Sequence, residues 1–63
     1  MSVLVRDMHS GDRVMVNGIL RIVVGEPYAD RWTAGRFNVR VTTPDFGVEH
    51  VMWGDNVTRF ELM

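Results

Sequence analysis

Apolar and polar residues alternate at period two along most of this chain, and valine dominates the apolar set. That spacing predicts half-buried β-strands, and no segment carries the apolar stripe of an amphipathic helix. Residues 36–43 give the cleanest case. Phe37, Val39 and Val41 point one way, and Arg36, Asn38, Arg40 and Thr42 the other. Residues 2–7 predict a first strand with Val3 and Val5 on one face, ended by the turn formers His9, Ser10, Gly11 and Asp12. Two apolar runs, 13–16 and 19–24, then flank Asn17-Gly18. A type I′ turn needs positive φ at both central residues, so Asn-Gly between such runs predicts a hairpin. Its register sets Val16 against Ile19 and Val14 against Arg21, which places an arginine on an apolar face. A bulge, or Arg21 lying across a barrel mouth, resolves the conflict.

Residues 25–35 form the longest stretch without alternation. Pro27 suits the first turn of a short helix, which would set Tyr28 and Trp32 on one side at i, i+4; an ordered loop is the alternative. Pro44-Asp45-Phe46-Gly47 reads as a four-residue hairpin loop, with proline pre-setting φ at the first bend. Residues 48–53 pair back onto 36–43 in one of two registers. One sets Val41 against His50 and Val39 against Met52; a shift by one residue sends Val51 and Trp53 inward instead. Gly54-Asp55-Asn56 makes a further turn, and residues 57–62 form a last strand with Phe60 and Leu62 on one side.

Five or six short strands joined by tight turns predict an all-β fold, a small antiparallel barrel with one long loop, occupying residues 1–63 as a single domain. Closure also hides edges that would otherwise aggregate; the terminal segments 2–7 and 57–62 are the expected remaining edges. The run Ser10-Gly11-Asp12-Arg13-Val14-Met15-Val16, then Asn17-Gly18, then an apolar strand, resembles the opening of SH3-like small barrels, including the KOW and Tudor-like groups, over residues 8–24. The resemblance implies an SH3-like barrel. In style, the small size, arginine bias and strand content also resemble short open reading frames of actinobacterial phages.

Composition narrows function more than it defines it. A chain of 63 residues has a net stability of about 3–9 kcal/mol and little room for a pocket of about 300 Å³ with a rigid shell around it. All seven basic residues are arginine, set against eight acidic ones for a net charge of −1. No long-range field therefore draws the molecule to nucleic acid or to an anionic membrane. Arginine without lysine fits either selection for bidentate contacts or a GC-rich coding sequence, which also favours valine and glycine. With no cysteine there is no disulfide framework, thiolate chemistry or Cys-type zinc site, and the cytoplasm is the expected compartment, the host's if the chain is phage-encoded. No apolar run is long enough to span a membrane, and no secretory leader pattern is present.

Catalytic and metal chemistry find few footholds. His9 and His50 lack partners at metal-ligand spacing, Asp7 at i−2 from His9 being too little for a closed site. Asp12, Asp30, Asp45 and Asp55 sit at turns, where carboxylates accept from backbone amides. There is no nucleophile elbow, no phosphate-cradling glycine loop and no lysine. The expectation is a non-catalytic protein with no cofactor and no metal.

Two sets of residues compete as its binding site. Tyr28, Arg31 and Trp32 lie in the long loop and belong to the residue types enriched at interface hot spots. They are the candidate contact surface for a protein partner, although Trp32 is expected to fold back and plug the open end of the barrel. Arg36, Asn38 and Arg40 share one face of one strand about 7 Å apart, and with Trp53 as a stacking platform they are the candidate nucleic-acid site. Pairing of those arginines with Glu49 and other carboxylates, together with the net charge, disfavours the second set. Self-association is a further expectation, because so small a core gains from an added interface.

Overall fold

The computed structural model describes residues Met1–Met63 and is all-β, a curled antiparallel sheet in the form of a half-barrel. Its strands are β1 (Ser2–Leu4), β2 (Arg13–Val16), β3 (Ile19–Val23), β4 (Tyr28–Ala29), β5 (Phe37–Thr43), β6 (Val48–Gly54) and β7 (Arg59–Leu62). Across the sheet the order is β1, β7, β2, β3, β5, with β6 on the far side of β5 and β4 continuing the β3 side of β5. No helix of the molecule is long and apolar enough to cross a membrane.

The β2–β3 hairpin has the expected turn and register. Asn17 and Gly18 take φ of 51° and 78°, and Val16 pairs with Ile19 and Val14 with Arg21. The ladder runs from Arg13↔Ile22 to Val16↔Ile19 without a bulge, so Arg21 stays on the face of buried Val14, half-buried itself with its Nε enclosed and unpaired. Of the two registers open to β5 and β6, the structure adopts the one with Val41 against His50 and Val39 against Met52. Met52 consequently joins Val39 and Val41 in the core, His50 lines its margin half-buried, and Val51 and Trp53 lie on the outer face.

Two sequence expectations are corrected and one pair of alternatives is decided. The first strand stops at Leu4, and Val5–Asp7 form a single 3-10 turn closed by the Met8 amide donating to the Val5 carbonyl at 3.1 Å. This turn drives Val5 and Met8, both essentially inaccessible, into the core beside Val14, Val23, Val39, Val41 and Met52. Residues 25–35 contain no helical turn. Tyr28 and Ala29 instead extend along β5 opposite Asn38 and Phe37, because Pro27 biases Glu26 to extended backbone and β5 outruns β3, leaving backbone groups that need partners. Finally, residues 57–62 are not an edge. β7 is paired on both sides, with β1 and with β2, so the free edges are β1, β6 and the two-residue β4.

Between the β1 and β6 edges the sheet stays open, and Val5 fills the gap. A Cβ built on Gly54 would lie 2.8 Å from Val5 Cγ2 and 3.1 Å from Phe60 Cε2. Glycine at this position lets β6 close against the 3-10 turn, and any larger residue would displace core atoms.

Candidate functional site

The two competing sets of candidate residues meet at Tyr28, which lies on the same face as Asn38 and Trp53. Tyr28 of β4 pairs with Asn38 of β5, and Asn38 pairs with Trp53 of β6. Residues directly opposite one another in a sheet share a face, so Tyr28, Asn38 and Trp53 form a single row across the outer side. Arg40 occupies the next row beside Val51. Tyr28 and Trp53 are each about half exposed, whereas Asn38 between them is only 8% exposed.

Asp30, one residue beyond β4, organises the loop that follows. Its Oδ2 accepts from the amides of Trp32 at 2.9 Å and Thr33 at 2.7 Å, and its Oδ1 accepts from Asn38 Nδ2 at 2.9 Å. The Asp30 amide donates to the Arg36 carbonyl at 2.8 Å, closing the loop at its base. Arg36 Nε lies 3.9 Å from Asp30 Oδ1, too far for a hydrogen bond but close enough for attraction. The Asn38 amide is the main influence holding the Asp30 carboxyl below its ordinary pKa, against the opposing pull of desolvation; the Trp32 and Thr33 amides and the Arg36 charge add to it. Asn38 turns its donor to the carboxylate, and its Oδ1 is left buried without a partner.

Trp32 is the largest departure from the sequence reading. It is 86% exposed rather than plugging the barrel, since Val5 and Met8 already occupy the interior and the Asp30 turn fixes the backbone of Trp32 away from it. Arg31 reaches over the Trp32 ring, 5.8 Å from its centroid, and Arg36 stacks more closely on Trp53 at 4.1 Å. Arg40 Nε meets Glu49 Oε1 at 3.2 Å. Neither Arg36 nor Arg40 therefore stands free for a phosphate: one is held by an aromatic face and Asp30, the other by Glu49.

Asp30 belongs to neither set of candidate residues, although the spacing Asp30-Arg31-Trp32-Thr33 carries the signal of a side chain accepting from amides two and three residues on. Val51, exposed beside Arg40, belongs to neither set because its face depended on the undecided register. The surface has no pocket, and no group of three or more His, Cys, Asp or Glu side chains converges anywhere on the molecule. In comparisons with known proteins, no family model, no curated protein and no solved structure matches the chain.

Proposed function

We propose that this protein is a non-catalytic protein-interaction module that docks through Trp32, Arg31 and Tyr28, with the Trp53 and Arg36 face beside them. The observation that carries this reading is an exposed tryptophan on a loop whose backbone is fixed in advance by Asp30. Aromatic and arginine anchors supply most interface energy, and a braced loop loses little entropy when it binds. Charge supports a protein rather than a polyanion as partner, since Asp30 and Glu49 sit among the arginines of the surface. The strand order supports an SH3-like architecture: β2, β3, β5 and β6 form a meander, and β7 returns to the first of its strands. The absence of cysteine supports a cytoplasmic setting, the host cytoplasm for a phage-encoded chain.

The test is affinity capture from the native cell with wild-type and Trp32→Ala baits, followed by titration of the captured protein against both. One partner is expected, with affinity falling about 10–100-fold in the variant while the fold is unchanged. Equal affinity for both baits overturns the assignment of Trp32.

A second reading draws on the Tyr28, Asn38 and Trp53 row, where two half-exposed aromatics flank Asn38, with Arg36 and Arg40 before and after it on β5, in the manner of a single-strand platform. Titrating short single-stranded DNA and RNA at several salt concentrations separates the readings. Phosphate contacts give a steep negative slope of affinity against salt, whereas a protein-docking surface gives no measurable binding.

A further inference from the structure

The free edges of the sheet are unlike. β4 is two residues long and β1 three, too short to template much pairing, whereas β6 runs for seven. The backbone directions along β6 follow from one hydrogen bond on the other side of β5. The Val24 amide donates to the Arg40 carbonyl at 3.0 Å, so Arg40 directs its backbone groups toward the β3 side. In an antiparallel ladder, pairs alternate between those that exchange hydrogen bonds and those that do not. Arg40↔Val51 is accordingly a non-bonded pair of the β5–β6 ladder, as are Thr42↔Glu49 and Asn38↔Trp53. The N–H and C=O groups of Glu49, Val51 and Trp53 therefore point outward from the sheet, and no backbone group of the molecule meets them.

Natural edges of this length are usually blunted by charged side chains, lysine above all, by proline or by a bulge. β6 has no lysine, proline or bulge, its one charged side chain is Glu49, and Val48, Val51 and Trp53 are all about half exposed along it. We propose that β6 pairs antiparallel with β6 of a second copy of this chain, about a two-fold axis at Val51, to give one continuous sheet.

Register and charge both argue for a second copy as the occupant. Pairing about Val51 sets Glu49 of each chain directly opposite Trp53 of the other, on the same outer face. Arg36 lies over that Trp53 ring at 4.1 Å from its centroid, with its own carboxylate neighbour, Asp30, 3.9 Å away; the incoming Glu49 carboxylate, 3.2 Å from Arg40 of its own chain, therefore gains a second guanidinium neighbour across the pairing. The same contact forms twice by symmetry, and Val51 packs on Val51 at the axis. A one-residue shift of this register would turn the outward backbone groups of one strand against the inward-facing positions of the other, so the registers left are those that oppose residues 49, 51 and 53 to one another, and of these the one centred on Val51 sets Glu49 against Trp53. The dimer would present two Trp32 loops from one sheet, which makes the docking module bivalent; the pairing itself is independent of what those loops bind.

Sedimentation equilibrium across a concentration series tests this, with Val51→Pro and Val51→Lys as variants. The wild type is expected to reach twice the 7.2 kDa of one chain. Proline at 51 removes only an outward N–H, leaves the β5–β6 ladder intact and suits an edge strand. It deletes two donors at the axis, one from each copy, and should raise the dissociation constant about 100-fold at about tenfold per bond. Lysine at 51 keeps the backbone and sets two like charges together at the axis, so it should also shift the mass to that of a single chain with an unchanged circular dichroism spectrum. A wild type that sediments as one chain at all concentrations overturns the proposal. So does a dimer that both variants leave undiminished, which would place the interface elsewhere.

Discussion

Asp30 and Asp55 open two turns of the same local design with different attachments to the rest of the molecule. Each carboxylate accepts from the amides two and three residues on, Trp32 and Thr33 in the first turn, Val57 and Thr58 in the second. Each turn also lifts an apolar residue into solvent, Trp32 at 86% and Val57 at 81% exposed. The turns are neighbours, since a Cβ on Gly35 would lie 3.2 Å from Asn56 Nδ2. Beyond this they diverge. Asp30 uses its second oxygen to reach Asn38 in the middle of the sheet. The Asp55 carboxylate stays within its own turn, its pKa lowered first by the Thr58 side chain and then by the Val57 and Thr58 amides. What fixes the second turn is packing at its entry, where Gly54 closes against Val5 and Phe60. A short sequence pattern thus makes a turn, and a contact outside the pattern decides how that turn is held against the fold.

The largest effect should come from the entries to the two turns. Gly54→Val forces side-chain atoms into Val5 and Phe60 and should destabilise by about 1–3 kcal/mol or more. Ala29→Val, at the exposed entry to the first turn, should stay within about 0.5 kcal/mol of wild type. Denaturant unfolding of the two variants checks this, and equal losses would remove the distinction between a packed and a tethered turn.

Acid should act on both turns, but through different partners. Both carboxyls titrate below their ordinary pKa in the folded chain. Near pH 4 the unfolded chain therefore binds more protons, so stability rises with pH there. The contribution is fully present above the unfolded carboxylate pKa, about 3.9, and is lost as pH falls through the lower folded values. Carbon-13 titration of the side-chain carboxyls should find Asp30 moved back toward its ordinary value by Asn38→Ala, with Asp55 unmoved. A shift of both, or of neither, would show that the two turns do not differ in their tether.

The smallest effect on stability is expected at the exposed tips. Trp32→Ala and Val57→Ala should each change unfolding free energy by no more than about 0.5 kcal/mol, because neither side chain is buried. A loss of about 3–5 kcal/mol from Trp32→Ala, the figure for a buried aromatic, would restore the barrel plug that the sequence suggested.

What the sequence determined by itself was local. Asn17-Gly18 specified its hairpin because two adjacent residues had to take positive φ, and both do. Residues 36–43 specified a strand with distinguishable faces because alternation is legible over consecutive positions, and Pro44–Gly47 specified the reversal after it. The long-range decisions lay elsewhere. Sliding β6 by one residue leaves every local preference satisfied, so burial of Val39, Val41 and Met52 had to choose the register, and that choice put Trp53 on the face of Asn38. The edges depended on β7 crossing back to pair with both β1 and β2, a contact between the two ends of the chain that no window of sequence contains. Trp32 was set in solvent by competition for volume. A core of valines with Met8 and Met52 was already filled by the 3-10 turn after β1, and an indole, however apolar, enters an interior only where space remains.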